Sequence, residues 1–93
     1  MPPLDIDYPS HGETVTSPTY TFRIGSSEPL TEAEVSIDRG PWLRCRHACG
    51  QWWYDWSGYG SGTHHLAARG VTRSGEPVNS TLRRFEVVLP HGR

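Results

Sequence analysis

The chain has 93 residues, 34% of them hydrophobic, and a net charge of −1; that length holds one domain over residues 1–93, with a core over about 4–89, and excludes a second folded unit. Its nine basic residues, all Arg and unclustered, exclude the basic face that nucleic acid requires, and no apolar run is long enough to span a bilayer. Ten Gly and eight Pro favour many turns over long helices, and with no signal peptide after Met1 the chain reads as an excised or mature soluble domain.

Period-two alternation marks the strands. Leu4, Ile6 and Tyr8 alternate with Asp5 and Asp7 before the turn residues Pro9, Ser10, His11 and Gly12. Tyr20, Phe22 and Ile24 alternate with Thr19, Thr21 and Arg23, and Gly25 ends the run. Residues 29–34 give the one helical candidate, a single turn through Thr31, Glu32, Ala33 and Glu34. Val35 and Ile37 then alternate with Ser36 and Asp38, and a tight turn is expected at Arg39, Gly40 and Pro41. A short strand is expected over residues 42–45. Trp52, Tyr54 and Trp56 share one face, with Trp53 and Asp55 on the other. His64, Leu66 and Ala68 form the next inward set, and Phe85, Val87 and Leu89 the last. Residues 1–3 and 91–93 read as short tails.

Six clear strands and a short seventh, separated by turns, predict an all-β fold: a two-sheet antiparallel sandwich of immunoglobulin-like type with about seven strands. A thin core in so small a domain depends on its aromatics.

Several segments are similar to bacterial immunoglobulin-like (Ig-like, fibronectin III-like) modules. The run from Ile6 through Tyr8, Pro9 and Gly12 to Val15 resembles their opening strand and turn. The run Ala33-Glu34-Val35-Ser36-Ile37-Asp38-Arg39-Gly40-Pro41-Trp42 resembles their VEVSIDGGPW hairpin. Trp52, Tyr54 and Trp56, followed by Gly62, His64 and Leu66, look like the next pair of strands. Gly70 and Thr72 depart from the Ala and Asp common in such modules, and a two-cysteine loop, Cys45-Arg46-His47-Ala48-Cys49-Gly50, replaces a plain hairpin. The resemblance implies a spacer, adhesion unit or ancillary domain of a secreted or surface-attached bacterial protein, and an inward, hydrogen-bonded His64. Fold alone does not transmit function.

Three constellations could carry chemistry. Cys45 and Cys49, four apart with His47 between, can close a small-loop disulfide; reduced thiols, or a metal or redox site, are the alternatives. A disulfide is expected here, and with it an oxidising compartment. Trp53, facing away from the core positions, could form a sugar-stacking or protein-contact platform with Trp42 or Tyr59; the alternative is that it covers an edge strand or packs on the cysteine loop. His64 and His65 point to opposite faces of a strand and cannot share one ion. Asp5, Asp7 and Asp38 read as a solvated outer face.

No nucleophile elbow or phosphate loop is present, so a noncatalytic domain without metal or cofactor is expected. The leading expectation is an extracytoplasmic spacer or protein-interaction module of a larger bacterial protein, monomeric as an isolated domain. The alternatives are a carbohydrate-binding module centred on Trp53 and an ancillary or dimerisation domain of a larger enzyme.

Overall fold

Alternating apolar side chains seal one face of each strand, and two such faces close on each other. The structure, a computed structural model, describes residues 4–89; the expected tails lie outside them. Ten strands follow in chain order: β1 (Leu4–Tyr8), β2 (Thr14–Val15), β3 (Thr19–Ser26), β4 (Leu30–Ile37), β5 (Trp42–Arg44), β6 (Arg46–Ala48), β7 (Gln51–Ser57), β8 (Gly62–Thr72), β9 (Pro77–Asn79) and β10 (Arg83–Val87). One sheet has the order β1-β3-β7-β6, the other β2-β10-β8-β4-β5, with β9 also paired to β8. The pairing is antiparallel throughout except between β10 and β2, which run parallel.

The fold is the expected sandwich, with more strands than seven. The additional ones, β2, β6 and β9, are two or three residues long and hold too few alternations to stand out in the sequence. The helical turn expected over residues 29–34 is instead the first half of β4. Ala33 is completely buried there and its carbonyl accepts the Cys45 N–H at 2.9 Å, so pairing across the sheet overrides a weak local preference. A bulge between Leu30 and Glu32 accompanies this pairing. Opposite it, Gly70 leaves room that a Cβ would close, at 2.8 Å from Leu30 Cδ1 and 2.9 Å from the Glu32 carbonyl.

The core runs through both sheets: Leu4, Ile6, Phe22, Ile24, Trp52 and Trp56 from the first, Ala33, Val35, Leu66, Ala68, Phe85 and Val87 from the second. Trp52 and Trp56 each retain 9% exposure, while Tyr54 is half-buried and packs against the same cluster. The turn after β4 sits one residue earlier than expected: Asp38 and Arg39 both take positive φ, 53° and 61°, and the Gly40 N–H donates to the Ile37 carbonyl.

Register also fixes where the chain enters and leaves. Leu4 pairs with Ser26 at one end of the sandwich, whereas Val87 pairs with Gly62 and Val15 at the other. The molecule measures 50 × 22 × 22 Å along its principal axes.

Candidate functional site

The Cys45–Cys49 segment crosses between the sheets. β5 belongs to one sheet and β6 to the other, and Cys45 is the buried residue at the crossing. The chain then extends through β6 and turns at Cys49 and Gly50, both with positive φ, into β7. The expected disulfide is not formed: both cysteines are free, Cys45 buried and Cys49 exposed. Four residues along an extended strand cover about 13 Å, roughly twice the Cα separation that a disulfide tolerates. Burial pushes the Cys45 thiol up to about 12, with the Glu34 carboxylate adding to the shift, so this thiol is an inert core group. His47, the third member of the motif, stacks on Trp52 at 4.5 Å. Among the described residues, no group of three or more His, Cys, Asp or Glu could hold a metal ion.

The three candidate aromatics fall in different places. Trp42 lies on the outer side of the β2-β10-β8-β4-β5 sheet, 38% exposed, with the Arg69 guanidinium 4.1 Å over its ring. Arg69 is held in turn by Glu34 at 2.9 Å. Trp53 lies on the outer side of the opposite sheet, half-buried, and its indole N–H donates to the Ala48 carbonyl at 2.8 Å. It thereby covers the edge hairpin formed by β6 and β7. Tyr59 is in the loop after β7, stacked on Trp56 at 3.7 Å and donating its hydroxyl to the Ser17 carbonyl; burial raises its phenol above the ordinary value. No common platform joins the three.

Trp53 instead belongs to a row that crosses its sheet. Tyr8 is opposite Arg23, Arg23 opposite Trp53, and Trp53 opposite Arg46. The Arg23 guanidinium sits 4.7 Å over the Tyr8 ring and its Nε donates to Asp7 at 3.0 Å. Asp55 accepts from the Thr21 hydroxyl at 2.9 Å and from Arg46 at 3.2 Å. Those two bonds hold its carboxyl below the usual carboxylate range. A depression of about 220 Å³ at the end of this row is lined by Arg44, Arg46, Trp53, Tyr54 and Asp55. Two other clefts, of about 310 and 330 Å³, open beside Glu32, Arg69 and Asn79, and beside Glu28, His47, Trp52 and Arg73.

His64 is inward, as the resemblance implied. Its Nδ1 lies 2.6 Å from Asp38 Oδ2 and its Nε2 2.9 Å from the Gly60 carbonyl, and its ring packs on Trp56 and Phe85 at 5.1 and 5.9 Å. Asp38 is thus a turn anchor, which also accepts the His65 N–H at 2.8 Å, and not the free surface carboxylate expected. An Asp at a turn, where αL is tolerated and side-chain acceptors serve nearby N–H groups, was the available signal. Both neighbours of the imidazole are acceptors, so the doubly protonated ring satisfies each of them. Burial works against that charge, but the Gly60 carbonyl and the Asp38 carboxylate outweigh it and raise His64 above its ordinary value.

No family model and no curated protein matches the chain; solved structures do. Fibronectin(III)-like modules of Clostridium thermocellum CbhA align with TM-score 0.72 at 18% identity, over 90% of this chain and 93% of theirs. A modular endo-β-1,4-mannanase from Cellulomonas fimi aligns with TM-score 0.69 at 22% identity, over 97% of this chain but 19% of the enzyme. CopC from Methylosinus trichosporium OB3b aligns with TM-score 0.71 at 14% identity, over 91% of each. The chain spans about a fifth of the mannanase it resembles.

Two measurements check this geometry. Thiol titration of the native protein should label Cys49 rapidly and Cys45 only after denaturant is added; a protein with no titratable thiol in denaturant would contradict the separation of the two residues. The second concerns pH. Because the folded-state value of His64 is raised, its stabilisation is complete below about pH 6.5, the ordinary histidine value, and is lost as pH rises through the folded value. Urea melts should therefore show the parent's margin over His64→Gln larger near pH 6 than near pH 8.5, and an equal margin at both would contradict the clamp. Strand pairing, core and structural neighbours agree: the chain has the immunoglobulin-like, fibronectin III-like β-sandwich fold.

Proposed function

We propose that this domain is a noncatalytic, extracytoplasmic module of a larger bacterial protein, serving as a spacer and contact surface between neighbouring domains. The carrying observation is the threading of the chain: Leu4 and Val87 lie at opposite ends of the sandwich. A module entered at one end and left at the other separates its neighbours by its own length. The likeness to fibronectin(III)-like modules of CbhA and to part of a modular mannanase supports the same reading. So does the use of its polar chemistry. His64, Asp38, Arg69, Glu34 and Tyr59 are all engaged in holding turns and strands, which leaves none of them free as an acid, base or nucleophile. Since the cysteines are unpaired, the extracytoplasmic setting rests on the likeness to those modules and not on a disulfide. Other domains of the parent protein are the expected partners.

Small-angle scattering of the domain carrying a globular protein at each terminus tests the spacer role. The two flanking bodies should be held apart by close to the module's long axis, 50 Å. Flanking bodies in mutual contact, with the module beside them, would contradict it.

A further inference from the structure

The segment from Arg44 to Asp55 holds unspent binding capacity that the spacer role does not use. Arg44 and Arg46 stand on either side of the crossing between sheets, 75% and 58% exposed. The Arg44 guanidinium is 3.7 Å from Glu32, too far for a hydrogen bond, so its donors are uncommitted to that partner. Arg46 gives one nitrogen to Asp55 out of the five N–H groups of a guanidinium. Between these cations stands the Trp53 ring, fixed from behind by its bond to the Ala48 carbonyl; Tyr54, which faces the core near Phe22 at 6.3 Å, lines the depression from the core side. Asp55, ordered by Thr21 and Arg46, adds an acceptor at the rim.

The depression these five residues line, about 220 Å³, is below the roughly 300–1,000 Å³ of pockets for drug-sized ligands and suits a single ring. Each cation stands beside a carboxylate, Arg44 beside Glu32 at 3.7 Å and Arg46 beside Asp55 at 3.2 Å, so what the depression offers an anion is the guanidinium N–H groups that these partners leave unbonded. A ligand that matches has an anionic group for the guanidinium forks, an apolar ring face for the Trp53 indole, and a hydroxyl donor for Asp55. A hexuronate unit of an acidic polysaccharide carries all three on one ring. We propose that the Arg44–Arg46–Trp53–Tyr54–Asp55 depression is a subsite for hexuronate residues.

Affinity electrophoresis of the whole domain in gels containing polygalacturonate tests this, with neutral mannan, dextran sulfate and a peptide bearing a free C-terminal carboxylate as the other arms. Polygalacturonate should retard the parent, and mannan and the peptide should not. Arg44→Gln and Arg46→Gln, both at exposed positions, should each weaken retention at least fivefold, and Trp53→Ala at least tenfold. Trp42→Ala, outside the lining of the depression, should leave it unchanged. Melting curves of each variant separate a lost contact from lost folding, and the two Arg variants keep the test sound if Trp53→Ala unfolds. Absence of retention in polygalacturonate would overturn the proposal. So would equal retention in dextran sulfate that is insensitive to Trp53, which is charge attraction alone, and so would retention by mannan or by the peptide. None of these outcomes bears on the spacing measured by scattering.

Discussion

Trp56 joins the two sheets through ring contacts on both, beside the direct Phe22–Phe85 contact at 6.0 Å. Its ring packs on Phe22 at 5.3 Å within its own sheet, on Phe85 at 5.7 Å and His64 at 5.1 Å from the opposite sheet, and under Tyr59 at 3.7 Å from the following loop. In a domain with so few aliphatic residues, one large ring touching four others supplies burial that several smaller side chains would otherwise have to give. Several arrangements follow from it. Tyr59 can tie the β7–β8 loop to Ser17 because Trp56 supports its ring. His64 can bridge Asp38 and Gly60 because Trp56 and Phe85 fix the plane of the imidazole.

The second constraint is the crossing at Cys45. By passing from one sheet to the other there, the chain gives each sheet an edge strand of three residues, β5 and β6. Such short edges offer little backbone for pairing with another chain. The crossing also places Arg44 and Arg46 on different sheets but around one depression. A small buried thiol suits the position, since the backbone at Cys45 still bonds to Ala33 of β4 while the next residue pairs with Trp53 of β7.

Much of this was legible in the residue order. Strong alternation exposed the long strands except the first half of β4, and the even-numbered positions from Trp52 to Trp56 and from Leu66 to Ala68 do face inward. The short strands β2, β6 and β9 were illegible because two or three residues carry no period, whereas β5, equally short, was expected over 42–45. Residues 29–34 were misread as helical because Thr31, Glu32, Ala33 and Glu34 carry no strong local strand signal; their ladder partners, Arg69, Gly70, Val71 and Thr72 of β8, lie far along the chain. The cysteines were misread for a related reason. Their spacing suits a bridge on a curled loop, and nothing local reveals that the segment is extended across two sheets. Trp53 was recognised as outward-facing, but its true neighbours, Arg23 and Arg46, depend on register across three strands. Asp38 illustrates the same limit: its role comes from His64 and His65 on β8.

The most direct test of the account is the unfolding free energy of Trp56→Ala against the parent, measured by urea titration at neutral pH. Removing a ring that joins both sheets should cost about 3–5 kcal/mol, a large part of the roughly 5–15 kcal/mol that holds a domain of this kind together. A variant that unfolds within about 1 kcal/mol of the parent, on the scale of an ordinary surface change, would mean that the sheets are held together elsewhere.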